Sequence, residues 1–498
     1  MAISKIEHVV VLMLENRSFD HLMGFFPGAN GLKGDEYNLR QPFEPESPNN
    51  KRYAVGKNAS FAITAGQGPG HSFKASNIQI AGSPNGPDAE HPAANVGYIM
   101  SYVNTMSSDH VTNPTDVQLG EAMQAFTPES LPAINTLARS FVLCDNWFSE
   151  VPGPTQPNRL YTHAATSVGL QYNDWQRVFD VRTVYNLLED AGKTWGVYYA
   201  DDNDVAKFSQ LTAKVYDSDD EVQADRANGV KGGFFDYKTF FQKHAEAGTL
   251  PAYTFIEPAF GDSGSTKDAV NSMHAPHDVR PGDQLVAEIY AALRSNEELW
   301  NKTLFIVTFD EHGGFHDHVV PAAAPNPDGI NGQESNRAPA FAFDRLGLRV
   351  PAILASPWLP AGQIVSEPYQ HTSIISTVRE IFGLAGPLTK RDASARSFAA
   401  LLDRLDAPRT DAPASLDAAA APEITHGDKS SPDHPANQPP DPLLQEKTEG
   451  WMNLMQSTFP DEPPPEMPKT NREAHAYIRS SVRRYSNHRA KSKQPSST

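Results

Sequence analysis

The chain has 498 residues, with 42 lysines and arginines against 60 aspartates and glutamates, so its formal net charge is −18 at pH 7. This length allows one large domain or two to three smaller ones, and the negative charge argues against a general nucleic-acid binder. The one cysteine, Cys144, allows no intramolecular disulfide, and its apolar neighbours predict a small core residue.

No stretch of the sequence is long and apolar enough to predict a transmembrane segment. The first apolar run, Val9 to Leu14, begins too early and is too short for the core of a signal peptide. We therefore expect a protein that is cytoplasmic or exported without a recognisable N-terminal signal peptide.

The first element in the chain is a predicted buried strand at residues 6–14, since its apolar residues are continuous rather than alternating. It leads directly into Glu15 and Asn16, whose side-chain oxygens are ligands that hard cations prefer. These residues could equally cap a helix expected from Ser18 to Met23, and this stretch alone leaves both alternatives open.

A Pro-rich elbow at residues 151–161 places Thr155 just before a helix predicted from about Asn158. Backbone amides and the dipole at a helix N-terminus favour anions, so a hydroxyl there beside a metal could be an activated nucleophile. A helix-capping threonine is the alternative, and both roles are compatible. Upstream, residues 116–145 read as helical, and His71 lies in a Gly/Pro turn where a histidine is usually just exposed.

Further strands alternate with helices along the middle of the chain. The strands are predicted at 194–199, 253–256 and 350–355, and the helices at about 181–191, 282–296 and 372–382. Each of these strands ends on a polar pair, at 201–202, 257–258 and 356–357. Such alternation predicts an α/β fold with a largely parallel sheet.

A second strand of the first kind, 303–307, runs into Asp310 and Glu311 and then into Gly313 and Gly314. Two adjacent carboxylates in a semi-buried place need a cation or a proton, although a turn or a helix cap is the commoner use of such a pair. If the two strands are neighbours, four side-chain oxygens would surround one cation. The glycines would let the backbone turn tightly and leave room for a ligand.

The composition changes near residue 406. Residues 406–442 are rich in Pro, Ala and Asp, which is typical of a linker or an extended segment. Residues 443–498 begin with an amphipathic segment around Trp451 that could dock on the main domain. They end in a basic tail, which could contact an anionic membrane, fold back on the acidic body, or stay solvated.

Four motifs resemble those of the phosphoesterase family of non-specific phospholipases C and related acid phosphatases. In chain order they are Glu-Asn-Arg-Ser-Phe-Asp-His at 15–21, Thr-Gln-Pro-Asn-Arg at 155–159, His-Ala-Pro-His-Asp at 274–278, and Asp-Glu-His-Gly-Gly-Phe at 310–315 with Asp317 and His318. The resemblance runs from about residue 4 to about residue 403. It implies an alkaline-phosphatase-like three-layer sandwich over residues 1–405, with a mostly parallel central sheet flanked by helices, followed by the Pro-rich extension.

The resemblance also implies the roles of the site residues. The metal would be bound by Glu15, Asn16, Asp310 and Glu311, together with the nucleophile Thr155. The catalytic histidines would be His71, His274 and His371. The residues expected to contact the substrate phosphate are Asn158, Arg159, His277 and His312. Which of His274 and His277 faces the site stays open, with His274 favoured.

The implied function is a metal-dependent phosphodiesterase of phospholipase C type, which converts phosphatidylcholine-like lipids to diacylglycerol and a phosphorylated head group through a phospho-Thr155 intermediate. The oxygen ligands favour one Ca²⁺ or Mg²⁺ ion, with Mn²⁺ or Zn²⁺ as alternatives. The expected partner is a phospholipid, which could be met at a membrane surface, and the oligomeric state stays open. An acid phosphatase acting on phosphomonoesters is the first alternative, and a non-catalytic lipid- or metal-binding protein is the second. A sulfatase is excluded because Thr155 cannot form the aldehyde nucleophile of those enzymes.

Overall fold

The computed structural model of the chain describes residues 5–47, 50–108, 114–174, 179, 181–200, 232–260, 270–421, 437, 439–440 and 442–492. The polar pair predicted at 201–202 lies outside these residues. Within them, no helix combines the length and the apolar character that a membrane crossing requires.

The two continuous apolar runs of the sequence, at 6–14 and 303–307, form the two central strands of one sheet. In chain order the strands are β1 His8–Leu14, β2 Tyr37–Leu39, β3 Arg52–Ala54, β4 Val142–Cys144, β5 Trp147–Phe148, β6 Trp195–Tyr199, β7 Phe234–Asp236, β8 Tyr253–Glu257, β9 Thr303–Phe309, β10 Ala352–Ala355, β11 Gln363–Val365 and β12 Tyr369–Gln370. Strands β1 and β9 lie at the centre of one eight-stranded sheet, whose order is β11-β4-β10-β9-β1-β8-β6-β7. Central strands are covered on both faces, so both faces must be apolar.

All strand pairs in this sheet are parallel except those made by β10, which is antiparallel to β9 and to β4. The prediction of a mostly parallel sheet is therefore confirmed. Because β10 is reversed, its polar end at Ser356 lies at the start of β9, where the Ser356 hydroxyl donates to the carbonyl of Thr303 at 2.8 Å. Ser356 is thus at the edge opposite to the ends of β1 and β9.

Helices flank the sheet. In chain order they are α1 Phe19–Met23, α2 Phe73–Ala81, α3 Tyr98–Ser108, α4 Asp116–Gly120, α5 Pro132–Ser140, α6 Thr155–Ala164, α7 Val184–Asp190, α8 Tyr237–Glu246, α9 Arg280–Arg294, α10 Glu297–Trp300, α11 Thr372–Phe382, α12 Lys390–Ser394, α13 Pro442–Thr458 and α14 Asn471–Ser492. One group, α5, α8 and α9, packs side by side, and a second group consists of α6, α7 and α11. These layers on the sheet confirm the α/β class.

The prediction of helix throughout 116–145 is wrong in its last part. Helices cover Asp116–Gly120 and Pro132–Ser140, but Val142–Cys144 is a strand. This apolar triplet pairs with β10 on one side and β11 on the other, so long-range pairing overrides the local pattern. Cys144 is fully buried in that strand, as expected of a core residue.

Residues 406–421 form an extended strap rather than a free linker. Ala412, Leu416 and Ala419 belong to the main hydrophobic core. The hydroxyl of Tyr290 in α9 donates to the carbonyl of Pro413 at 2.7 Å. The prolines and small residues that suggest a linker therefore let this segment lie flat against α9.

The amphipathic segment around Trp451 packs within a helical hairpin. Helices α13 and α14 form a hairpin, and Trp451 is buried with Ala474 and Ile478 in a small cluster of its own. The apolar stripe of α13 is therefore covered by α14, which carries the basic residues of the tail.

The buried carboxylate of Asp283 joins the strap to the main domain. Asp283 in α9 accepts hydrogen bonds from the amides of Ala133, Ile134 and Ala419 at 3.2, 2.9 and 2.9 Å. Asp283→Ala leaves three buried donors unpaired, so we expect the free energy of unfolding to fall by about 2–4 kcal/mol in urea titrations. Asp190→Ala, on an exposed ion pair, is the control and should change it by less than about 1 kcal/mol.

Candidate active site

Three carboxylates meet at the ends of neighbouring strands. The parallel register aligns Leu14 with Phe309, so Glu15 and Asp310 leave β1 and β9 at the same level. On the other side of β1, strand β8 ends at Glu257. All three carboxylates are buried. The sequence identifies Glu15 and Asp310, and it also shows a polar end at Glu257, but only the strand order brings Glu257 into the same group.

Arg159 lies among these carboxylates. Its Nε is 3.2 Å from Asp310 Oδ2, its Nη2 is 3.9 Å from Glu15 Oε1, and its Nη1 is 3.7 Å from Glu257 Oε1. Burial lowers the pKa of Arg159, but Asp310, Glu15 and Glu257 outweigh it and raise the pKa. Arg159 is therefore a counter-ion of the strand-end carboxylates. Its buried Nη1 has no hydrogen-bond partner among the described residues, so the expected phosphate contact stays a prediction.

The turn after β1 leaves Asn16 free to act as a ligand. Ser18 Oγ caps helix α1 by accepting from the amide of His21, so helix capping does not occupy Asn16. Asn16 has φ 57°, a left-handed conformation that asparagine tolerates better than most residues. Its backbone amide donates to Asp310 Oδ1 at 3.1 Å. Its buried side-chain oxygen has no hydrogen-bond partner among the described residues.

Glu311 is the fourth buried carboxylate of this group. Its Oε2 accepts from the amide of Gly313 at 2.7 Å, and its Oε1 has no hydrogen-bond partner in the described part of the chain. Arg159 pairs with three of these four carboxylates and Arg17 lies near the fourth, so the group stays anionic when all four are ionised. The orphaned oxygens of Asn16 and Glu311 are hard donors, so the residues present fit a divalent cation.

His312 is held in the interior by Gln79. The amide group of Gln79 donates to the carbonyl of Gly70 at 2.7 Å, so Gln79 Oε1 faces His312 Nε2 at 2.7 Å and accepts its proton. The other ring nitrogen then lies 3.3 Å from Glu311 Oε2 without a proton. Burial lowers the pKa of His312 to about 3, so the ring is neutral. His312 has no N–H left for the predicted phosphate contact.

His371 is also fully engaged. Trp147 donates its indole N–H to His371 Nδ1 at 3.2 Å, which puts the proton of the neutral ring on Nε2. That nitrogen lies 2.7 Å from the carbonyl oxygen of Asp310 and donates to it. Burial lowers the pKa of His371. His371 therefore holds the backbone of Asp310 in place, and the prediction that it acts directly on the substrate is not supported by this geometry.

The Pro-rich elbow is held by Asn158. Its side-chain oxygen accepts from the amides of Glu150 and Val151 at 2.8 and 3.0 Å, and its Nδ2 donates to the carbonyls of Val151, Gly153 and Pro154. Every polar atom of this buried amide is thus used inside the turn. Asn158 shapes the elbow and has no donor to offer to a phosphate, so the predicted contact is corrected.

Thr155 is the first residue of α6, and Pro154 occupies the N-cap position, so the capping alternative does not hold for Thr155. Residues four apart lie on the same face of a helix, so Thr155 lies one turn above Arg159, which contacts the strand-end carboxylates. Thr155 is 6% exposed. The helix thereby places Thr155 at the same edge of the sheet as the acidic group.

His71 and His274 come together from two separate loops. Their rings meet edge to face with centroids 5.4 Å apart, and both residues are half-buried. The half-buried His277 makes a backbone turn, in which its amide donates to the carbonyl of His274 at 2.9 Å. His274 has this ring contact with His71, and which of His274 and His277 acts at the site stays a prediction.

Two glycines let the loop after β9 approach the turn after β1 and the loop that carries His71. Gly313 and Gly314 have φ 67° and 77°. A Cβ on Gly313 would lie 2.0 Å from the carbonyl oxygen of Asn16, and one on Gly314 would lie 2.5 Å from that of Gly70. The predicted tight turn is present, but the space beside it is filled by neighbouring backbone rather than left for a ligand.

A second acidic group lies beside the first. Ligand atoms of Asp20, Asp317 and His318 lie within 4.8 Å of one another, so this group could hold a divalent metal ion. However, Arg349 already pairs with Asp317 at 2.8 Å and with Asp20 at 3.0 Å. Because β10 is antiparallel, Arg349 at its start reaches this edge of the sheet. Sequence reasoning missed the group, although Asp20, Asp317 and His318 all lie within the two longest motifs.

The fold and this edge of the sheet define an α/β protein with a buried acidic site and a threonine at a helix N-terminus. The chain belongs to the phosphoesterase family, whose model matches residues 6–385.

The chain is 37% identical to non-specific phospholipase C3 of Arabidopsis thaliana over 83% of its length and 76% of that relative. It is 29% identical to phospholipase C B of Mycobacterium tuberculosis, over 77% of the chain and 75% of that relative. Among solved structures, a protein of the alkaline phosphatase superfamily from Vibrio parahaemolyticus aligns with 54% of this chain and 64% of its own, at 12% identity and a TM-score of 0.30. That overlap is too loose to bear on function.

The raised pKa of Glu311 predicts a pH dependence of stability. Burial raises this pKa from 4.5 to about 8, with His71 opposing the rise and Asp310 adding to it. Between these values the folded, metal-free protein keeps a proton that the unfolded chain releases, so stability should fall as pH rises through this window. We expect Glu311→Gln to flatten the slope of melting temperature between pH 5 and pH 8 in chelated protein. Equal slopes in the variant and in the wild type would contradict the prediction, and Glu298→Gln on the exposed surface is the control.

Proposed function

We propose that this protein is a metal-dependent phosphodiesterase of phospholipase C type, which hydrolyses phosphatidylcholine-like glycerophospholipids to diacylglycerol and a phosphorylated head group. Relatives named non-specific phospholipase C, at 35–37% identity over 82–83% of the chain, support this reaction class. The observation that carries the proposal is the placement of Thr155 at the N-terminus of α6, one turn from Arg159 and the carboxylates that it contacts.

The residues that would hold the metal are Glu15, Asn16, Asp310 and Glu311, with the Thr155 hydroxyl beside them. All of these donors are oxygens, which suit Ca²⁺ or Mg²⁺ better than softer ions, with Mn²⁺ and Zn²⁺ as alternatives. A divalent cation bound there would neutralise charge on the phosphate oxygens and lower the pKa of a nearby hydroxyl.

Thr155 is the nucleophile in this proposal. Its Oγ1 attacks the phosphorus while its proton passes to a solvent water, and the bond from phosphorus to the glycerol oxygen breaks. A half-buried ring, His71 or His274, donates a proton to that leaving oxygen, so diacylglycerol departs as the alcohol. Water then attacks the phospho-Thr155 ester, restores the threonine hydroxyl and frees the phosphorylated head group.

The interior histidines have a different task. His371 donates its one N–H to the carbonyl of Asp310 and so orients that residue, and His312 donates its one N–H to Gln79, so neither ring has a proton to transfer to the substrate. In this mechanism the amides at the start of α6 would stabilise the phosphate, since a helix N-terminus favours negative charge.

Product analysis tests the reaction class. With metal present, we expect phosphatidylcholine micelles to yield diacylglycerol and phosphocholine much faster than a soluble phosphomonoester yields phosphate. Chelation should stop the reaction. Thr155→Ala should lower kcat by roughly 10³-fold or more because the nucleophile is lost, whereas Thr249→Ala, on the exposed surface, should not change it. Fast monoester hydrolysis without diacylglycerol would instead assign the site to an acid phosphatase.

Metal content distinguishes the two acidic groups. Asn16→Ala removes one neutral oxygen ligand, so we expect the affinity for Ca²⁺ or Mg²⁺ to fall by roughly ten- to a hundredfold, measured by calorimetry on dialysed protein. Asp20→Asn should leave this affinity near the wild-type value, because Arg349 already neutralises the second group. The reverse result, with loss only in Asp20→Asn, would move the metal to Asp20, Asp317 and His318.

A further inference from the structure

One charged side chain near the site has no role in the reaction described so far. Arg17 directly follows Asn16, and it is 1% exposed. Its Nε donates to the carbonyl of Met273 at 2.7 Å. Its two terminal nitrogens, Nη1 and Nη2, are buried and have no hydrogen-bond partner among the described residues.

This arrangement differs from that of another fully buried arginine in the chain. Arg391 donates from Nη1 to Glu150 at 2.9 Å, from Nε to the carbonyl of Pro325 at 2.9 Å, and from Nη2 to that of Phe343 at 2.8 Å. A buried guanidinium whose donors are unpaired is costly, because water no longer solvates its charge. A buried guanidinium of this kind is expected where an anion accepts hydrogen bonds from its donors.

The free end of Arg17 lies among the loops that build the site. Its guanidinium stacks 4.5 Å above the ring of Phe315, in the loop that follows Glu311. Its anchor, Met273, directly precedes His274, whose ring meets that of His71. The unpaired donors therefore lie between the two loops that carry the acid–base histidine and the metal-binding carboxylate.

Among the residues that the structure describes, no carboxylate completes Arg17. The described acidic residues close enough to act on it are Asp278 and Glu311. Asp278 is paired with Arg280 at 2.6 Å. Glu311 accepts a hydrogen bond from the amide of Gly313 and belongs to the proposed metal site. An oxyanion from outside the chain is thus the partner that fits.

We propose that Arg17 binds a phosphate group through Nη1 and Nη2, and that it is a substrate-binding residue which sequence reasoning did not identify. The planar fork of a guanidinium matches two oxygens of a phosphate, and charge-assisted hydrogen bonds of this kind strengthen as those oxygens gain charge. The ligand is either the phosphodiester of a lipid or free inorganic phosphate, since both present the same oxygens. The catalytic part of the inference rests on the function proposed above.

The test uses the full-length, metal-loaded protein with inorganic phosphate as the probe. Phosphate should raise the melting temperature of the wild type. In Arg17→Met the Kd for phosphate should rise at least about tenfold, because both donors are lost. Without phosphate, this variant should melt at or above the wild-type temperature, since an unpaired buried charge is replaced by an apolar chain. Arg391→Met, which breaks a fully paired site, is the matched control and should melt lower.

Kinetics separate substrate binding from a structural role. For phosphatidylcholine, Arg17→Met should lower kcat/KM by roughly 100-fold, and added guanidinium ion should restore part of it. Arg17→Lys keeps the charge without the fork, and it should bind phosphate more weakly than wild type but more tightly than Arg17→Met. If Arg17→Met fails to fold, unchanged phosphate affinity in Arg17→Lys would overturn the proposal. A melting temperature of Arg17→Met as low as that of Arg391→Met would also overturn the proposal.

The outcomes also separate this inference from the proposed function. If wild-type protein cleaves no phosphatidylcholine but loses phosphate binding in Arg17→Met, the phosphate site stands and the phospholipase assignment fails. If wild type cleaves the lipid and Arg17→Met matches it in kcat/KM and in phosphate affinity, the inference about Arg17 fails alone.

Discussion

The balance of buried charge at the ends of β1, β8 and β9 is the constraint on which the rest of the site depends. Parallel pairing places Glu15, Glu257 and Asp310 at one edge, out of reach of water. Carboxylates in such a place would repel one another and take up protons unless cations lay among them. Arg159 supplies one positive charge, and it comes from α6, so the same contact fixes the helix that begins with Thr155. The contact that balances the buried charge therefore also sets the position of Thr155.

The histidines divide by burial into two groups. Those inside the protein, such as His312 and His371, are neutral because burial disfavours the charged ring, and each donates its one proton to an oxygen of the chain. Such a ring fixes geometry but has no proton to give. His71 and His274 remain half-buried and contact each other. The proposed mechanism assigns proton transfer to these two, because a general acid needs access to substrate and to solvent.

A second ion network holds the surroundings of the site. Arg349 joins Asp20 in α1 to Asp317 in the loop after β9, and this loop also contacts the β1 turn through Gly313. The loops that carry the site are thus held by ion pairs and by backbone contacts at glycines, while the apolar core lies below them in the sheet. Arg17 stands apart from this network, since its terminal nitrogens have no partner among the described residues. That difference separates an arginine that holds structure from one that can take a ligand.

The sequence by itself determined the two central strands, the α/β class and the motif residues that end β1 and β9, because these follow from local patterns of apolar and polar residues. Tertiary structure alone decided which motif residues face the site. Asn158 and Arg159 lie in the same motif as Thr155, yet the fold uses one to shape the elbow and the other to neutralise carboxylates. Glu257 joined the group only through strand order, and the strand at 142–144 formed only through pairing. A sequence shows which chemical groups are present, but hydrogen-bond partners and burial, which decide their use, come from residues far apart in the chain.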